Sequence, residues 1–123
     1  MESRLEQAKL TPKLEQELHY AKEYIANIYF TFEDFRAAAR QYQELIYEEN
    51  DQDDVFESYS CGINMASAYL EIPDTHNARR AIQIVIDNLP YIDPSVVREV
   101  EASVNDVLAN IHIKERSFQE ANK

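Results

Sequence analysis

The residues of this chain that invite a chemical reading are three histidines, one cysteine, an acidic run and one pair of adjacent arginines. Nucleophilic catalysis needs a histidine beside a serine or cysteine nucleophile, where it can take up the proton. His19, His76 and His112 are instead spread along the chain, each in a different segment. Cys61 stands alone, so the chain has neither an internal disulfide nor a cysteine-based zinc cluster. It reads as a small, half-buried apolar residue. The run Asp51-x-Asp53-Asp54 with Glu57 has the acid density of a calcium loop. Such a loop needs glycine at its sixth position and a bidentate glutamate at its twelfth. Counted from Asp51, those positions hold Phe56 and Gly62. The run therefore reads as a solvated loop with helix-capping acids. Carboxylates are so abundant that no pair stands out as a general acid and base. Arg79-Arg80 makes a weak phosphate site and reads as ordinary helix surface. The expectation is a chain that is not an enzyme, with no catalytic residue, no metal and no cofactor.

Composition narrows the choice further. Twelve Lys+Arg stand against 23 Asp+Glu, a formal net charge of −11. That excludes a nucleic-acid backbone as partner, because neutralising phosphates needs clustered cations. It equally disfavours charge-driven binding to an anionic membrane. Gly62 is the sole glycine, which excludes a phosphate-cradling glycine loop or a dinucleotide-binding turn. No apolar run approaches the ~18 residues that span a bilayer, so no membrane insertion is expected. The first residues, Met-Glu-Ser-Arg-Leu-Glu-Gln, are not the basic-then-apolar pattern of a signal peptide. A reducing, cytoplasmic location is the expectation. The 123 residues suit a single domain, and a 45% hydrophobic fraction is enough to fold one.

The elements that must position any site are helices. Prolines fall only at 12, 73, 90 and 94, leaving long stretches without a breaker. Thr11-Pro12 reads as an N-cap followed by proline at the first helical position. From there Leu14, Leu18, Ala21, Ile25, Ile28, Tyr29 and Phe32 recur at the 3.6-residue period of a helix. Glu33-Asp34 interrupts the pattern, and a second helix follows through Phe35, Ala38, Ala39, Tyr42, Leu45 and Ile46. Glu48 to Asp54 reads as the solvated loop, with Asp53 or Asp54 capping a helix from about Val55 to Ile72. Thr75 is the expected cap of a helix to about Leu89. Asp93-Pro94 opens a long helix to about Lys114, and a short helix begins near Ser117. Residues 1–10 read as a separate, weaker helix through Leu5 and Ala8.

These helices repeat. Shifted by 40, Ala26 falls on Ala66, Tyr29 on Tyr69, Ala38 on Ala78 and Leu45 on Val85. Shifted again by 43, Ala66 falls on Ala109, Tyr69 on His112 and Ala78 on Ala121. Each unit is a helix pair in which small residues allow close approach and an aromatic fills the surrounding volume. One such pair cannot bury its apolar face alone, so neighbours must stack. His112 then reads as a packing histidine inside its pair.

This pattern resembles the tetratricopeptide repeat family. The best match is Ile25-Ala26-x-x-Tyr29, then Glu33-Asp34-Phe35, then Ala38-x-x-x-Tyr42-x-x-Leu45. The second unit matches through Met65-Ala66-x-x-Tyr69, Ala78, Ile82, Val85 and Pro90. The third matches through Leu108-Ala109, Ser117-Phe118 and Ala121. The resemblance covers roughly residues 19 to 123, in units longer than the family's usual ~34 residues. It implies an all-α, right-handed stack of antiparallel helix hairpins with an extra N-terminal helix. The expected organisation is one domain over 1–123: a helix over 1–10, repeats over 12–50 and 54–90, and an incomplete repeat over 94–123. The cut-short third unit suggests a fragment of a longer repeat protein. It also predicts an exposed apolar edge at Val104, Leu108 and Ile111, and self-association through it.

Family resemblance further implies a concave groove lined by the first helix of each pair. Its positions here are Tyr20, Glu23, Tyr24, Asn27 and Phe30; Ser60, Ile63, Asn64, Ser67 and Leu70; and Ser103, Asp106, Val107, Asn110 and Ile113. Of these, Tyr20, Tyr24, Asn27, Phe30, Ile63, Asn64, Ser67 and Asn110 are the expected partner-binding residues. Amides suit an extended peptide backbone because they donate and accept. Chaperone-binding members clamp a terminal carboxylate with three cations and two asparagines. Asn27 and Asn64 fit the asparagines, but the cationic positions hold Glu23, Ser103 and Val107, so that ligand is not expected. The resulting expectation is a protein-interaction module or assembly scaffold, holding a peptide or helix that is apolar with some basic residues. A peptide-sensing regulatory domain and a self-associating structural repeat are the alternatives.

Overall fold

A computed structural model of the chain describes residues 12–49 and 58–121. The helix expected over 1–10, the caps at Thr11 and Asp53 or Asp54, and the acidic run from Asp51 to Glu57 lie outside the described residues. Within them, α1 spans Pro12–Thr31, α2 Phe35–Glu49, α3 Tyr59–Glu71, α4 Thr75–Asp87 and α5 Val97–Ala121. A 3-10 turn, Leu89–Tyr91, joins α4 to α5, and no strand occurs among the described residues. The chain is all-α. Glu48 and Glu49, expected in the loop, belong to the last turn of α2.

The helix ends follow from side chains that satisfy orphan backbone groups. At the end of α1 the N–H of Asp34 donates to the Tyr29 carbonyl at 2.8 Å, and that of Glu33 to Phe30 at 3.0 Å. This double closure places Glu33 in the left-handed region, at φ 66°. Asp34 then starts α2, its Oδ1 accepting from the Ala37 N–H at 3.3 Å. In α4 the cap is Asp74, one residue before the expected Thr75, and it accepts from the Asn77 N–H at 3.1 Å. Asp93 accepts from both the N–H and the hydroxyl of Ser95 at 2.9 Å, closing the turn that leads into α5. No second helix starts at Ser117. Neither glycine nor proline lies between Val97 and Ala121, and an i,i+4 pair, Arg116 to Glu120 at 3.6 Å, spans the expected break. The third unit is therefore one long helix.

Packing runs mainly between neighbours, α1 on α2, α2 on α3, α3 on α4 and α4 on α5, with α5 also on α3. This makes α3 the central helix, and its Cys61, Gly62, Met65, Ala66, Ala68 and Leu70 are all buried. The positions paired by the 40-residue shift agree in burial at the small and aliphatic residues but not at the aromatic pair, where Tyr29 is 39% exposed and Tyr69 is half-buried. Ala26 and Ala66, Ala38 and Ala78, and Leu45 and Val85 are each wholly buried. Asp74 repeats the bond of Asp34, its N–H reaching the Tyr69 carbonyl at 2.6 Å. The 43-residue correspondence does not hold at Ala109, which is exposed. In α5 the buried residues are Val100, Val104, Val107 and Ile111, spaced by four, three and four. The edge expected at Val104 and Ile111 is thus buried, and only Leu108 of that trio is partly open. The reason is that α5 turns those residues onto α3 and α4 and leaves Ala109 on the opposite side.

Candidate functional site

The proposed groove residues lie on α1, α3 and α5, and the structure treats them unequally. On α1, Tyr20 and Tyr24 are open to solvent, at 57% and 68% relative exposure. The Tyr20 hydroxyl accepts from the Gln16 amide at 3.1 Å, one turn back. Phe30 is different. It is half-buried, stacks edge-on against Phe35 with ring centroids 5.1 Å apart, and packs on the core. Its role is to hold α1 to α2 at the turn, so it offers little apolar surface to a partner.

Asn27 is exposed as a residue, yet its side-chain oxygen accepts from the hydroxyl of buried Tyr42 in α2. Tyr42 is 1% exposed, and a buried hydroxyl needs such a partner. Burial is also the main reason that its pKa is pushed up to about 12, with lesser contributions from Cys61 and Glu23. Asn27, expected among the partner-binding residues, therefore pins α1 to α2.

On α3, Ile63 and Asn64 are half-buried, and Ile63 packs against the core. The Ser67 hydroxyl donates to the Ile63 carbonyl at 3.0 Å, a bond within its own helix. On α5, Asn110 is exposed while Val107 is buried, so Val107 does not belong to any open face. Neighbouring α3 and α5 pack directly on one another, whereas α1 is joined to the rest chiefly through α2. What remains open from the expected set is Tyr20 and Tyr24 on α1 and Asn110 on α5, while Asn64 on α3 is half-buried.

His76 and His112 are exposed, and His112 fills no hairpin, because the helix it was expected to face is absent from α5. His19 stands edge-on to Tyr20 at 6.3 Å. Arg79 is bound to Glu115 of α5 through Nε at 2.9 Å and Nη2 at 2.5 Å. That bidentate pair draws the Glu115 carboxyl below its usual pKa. Arg80 reaches Asn77 at 3.5 Å. Among the described residues no cluster of histidine, cysteine or carboxylate side chains could hold a metal ion. No helix among them is long and apolar enough to cross a membrane.

One feature was not anticipated from the sequence as a surface. The apolar stripe of α1, read as part of the helix period, faces solvent: Leu14, Leu18, Ile25 and Ile28 are all exposed, and Phe32 reaches 79%. The signal was present in the spacing. Ala26, the buried residue of α1, lies off that stripe by more than a quarter turn. No family model matches the chain, and neither the curated proteins nor the solved structures supply a match.

Proposed function

We propose that the chain is a non-catalytic protein-interaction module of tetratricopeptide-repeat type, a right-handed stack of helix hairpins that holds an extended peptide or a helix. The observation that carries this reading is the recurrence at 40 residues. Small buried residues at Ala26 and Ala66, and at Ala38 and Ala78, together with matched turns closed by Asp34 and Asp74, support two copies of one hairpin design. The open residues of α1 and α5, together with half-buried Asn64 of α3, supply the contact surface. Tyr20 and Tyr24 give large, rigid apolar area with few rotors to freeze. Asn64 and Asn110 supply donors and acceptors for a partner backbone. A net charge of −11 selects an apolar or basic ligand over an acidic one. A cytoplasmic setting accords with a single cysteine, Cys61, that is buried and in no disulfide.

Affinity capture with this chain as bait, followed by titration of the retained partner, tests the reading. Asn64→Ala weakens binding by about 1–3 kcal/mol, the cost of leaving a partner group unpaired, and Tyr24→Ala weakens it too. The melting temperature stays close to that of the parent for both. Binding unchanged in both variants overturns the reading.

A further inference from the structure

We infer that α5 ends in a releasable arm, residues 112–121, which the ion pair of Arg79 with Glu115 clips to the first turns of α4. The burial pattern of α5 draws the boundary of the arm. The buried residues of this helix are Val100, Val104, Val107 and Ile111, and past Ile111 no described side chain is buried. The helix nevertheless continues to Ala121. Ile113 and Phe118, the large apolar residues of this stretch, are 59% and 42% exposed, so burial of apolar surface does little to hold it. Local propensity adds little. Ser117 and β-branched Ile113 are indifferent helix formers. No basic residue lies in the last turn, where Glu120 opposes the helix dipole. The internal pair of Arg116 with Glu120 is 3.6 Å apart with side chains 72% and 63% exposed, a geometry that contributes weakly.

Arg79 joins the arm to α4. Its Nε and Nη2 donate to the two carboxylate oxygens of Glu115 at 2.9 and 2.5 Å, the planar fork that a carboxylate accepts best. Thr75, one turn before Arg79, and His112, nearly one turn before Glu115, also favour the charged form of that carboxylate. Glu115 stands one turn past Ile111, so the clip falls just beyond the last buried contact of the helix. The two side chains stay 48% and 31% exposed, within reach of salt and of a competing carboxylate. An exposed pair matters little to a whole fold, but it matters to a segment with no other anchor of comparable geometry. Breaking it melts the arm from His112 onward and leaves Val100 to Ile111 docked. The device opens on charge, because whatever takes the guanidinium or the carboxylate frees the arm. Asn110 of the proposed peptide face lies on the docked part, so the release of the arm stands apart from that reading.

Backbone NMR of the full chain is the test, read through Cα shifts and order parameters along α5. The parent arm is expected to be helical at low salt. Glu115→Gln, which keeps the side chain's shape and removes its charge, raises the melted fraction of the arm about two- to fivefold, while Val100 to Ile111 keep their shifts. Glu115→Arg melts it at least as far. Arg79→Glu/Glu115→Arg exchanges the charges, restores the pair and returns the arm to the helical state. Salt raised to about 1 M, where the screening length is ~3 Å, loosens the parent arm and leaves that of Glu115→Gln unmoved. An arm that stays as helical as the parent's in both Glu115 variants overturns the inference. So does an exchanged pair that fails to restore the arm. Loss of helix that spreads from the arm through Ile111 to Val100 overturns it as well, since the pair would then belong to the core contact of α5.

Discussion

Gly62 is the residue whose smallness decides how closely two helices approach. A methyl group built on it would lie 2.5 Å from Val85 Cγ2 and 3.7 Å from the Ala81 carbonyl oxygen across the α3–α4 contact. Both flanking side chains, Ala81 and Val85, are wholly buried, so neither can swing into water. In a helix interior, alanine is normally better than glycine by roughly 0.5–1 kcal/mol. Here the overlap costs about 1–3 kcal/mol, so Gly62→Ala is expected to destabilise the fold by about 1 kcal/mol net. Adding Val85→Ala removes the clashing methyl, and the double variant is then more stable than the sum of the two single changes. Denaturant melts of the four proteins in the cycle check this. A stabilised Gly62→Ala would mean that α3 and α4 stand further apart. The sequence singles out Gly62 only as the one glycine, and a glycine's packing partner cannot be read from its neighbours in the chain.

At the scale of elements, helix existence was legible and helix termination only partly so. The periodic apolar residues and the four prolines locate the five helices of the described residues, because both signals are local. Asp74 rather than Thr75 caps α4 because two competent caps stand side by side and backbone geometry chooses between them. The expected break at Ser117 is absent because it rested on a repeat alignment, with no local breaker to enforce it. The α1 turn carries its own test. Glu33 holds φ 66°, a region that costs a side-chain-bearing residue about 1–2 kcal/mol. Forty residues on, the corresponding position is Pro73, whose ring fixes φ near −65°, and α3 ends at Ile72 in an ordinary right-handed conformation. The second turn thus reaches the same Asp cap without the left-handed residue. Glu33→Gly is expected to stabilise the protein by about 1 kcal/mol, since glycine adopts this conformation freely. Glu33→Ala, which keeps the Cβ, should gain far less. Thermal melts of the pair decide it; equal effects would show that loss of the Glu33 charge, not relief at φ, is responsible.

For the whole molecule, the limit of the sequence was orientation. Periodicity says that α1 and α5 each have an apolar face, but only the packing of the other helices says which way it points. Hence the stripe from Leu14 to Phe32 is open while Val104 and Ile111 are buried, and of the expected groove positions Phe30 and Val107 serve the core. Charge, by contrast, was legible in full, and it sets the last prediction. Asp74, Asp93 and Glu115 all have pKa values lowered by folding. The largest cause is the Asn77 N–H for Asp74, the Ser95 N–H for Asp93 and the Arg79 guanidinium for Glu115. A group with a lowered folded pKa binds fewer protons folded than unfolded, so its stabilisation is complete above its ordinary value and vanishes as pH falls through the folded one. Those ordinary values are 3.8 for the aspartates and 4.5 for the glutamate. Repulsion within a chain of charge −11 acts in the opposite sense, because acidification relieves it. The two effects occupy different windows. The melting temperature should hold or rise as pH drops from neutrality toward the ordinary value of Glu115, then fall below it as the three carboxylates protonate. Asp74→Asn isolates one of them, because asparagine keeps the capping oxygen and discards the charge. It should leave the neutral-pH melt nearly unchanged and flatten the acid limb. A melting temperature that keeps rising well below pH 3.8 would mean that self-repulsion, and not these three bonded carboxylates, governs the acid behaviour of the fold.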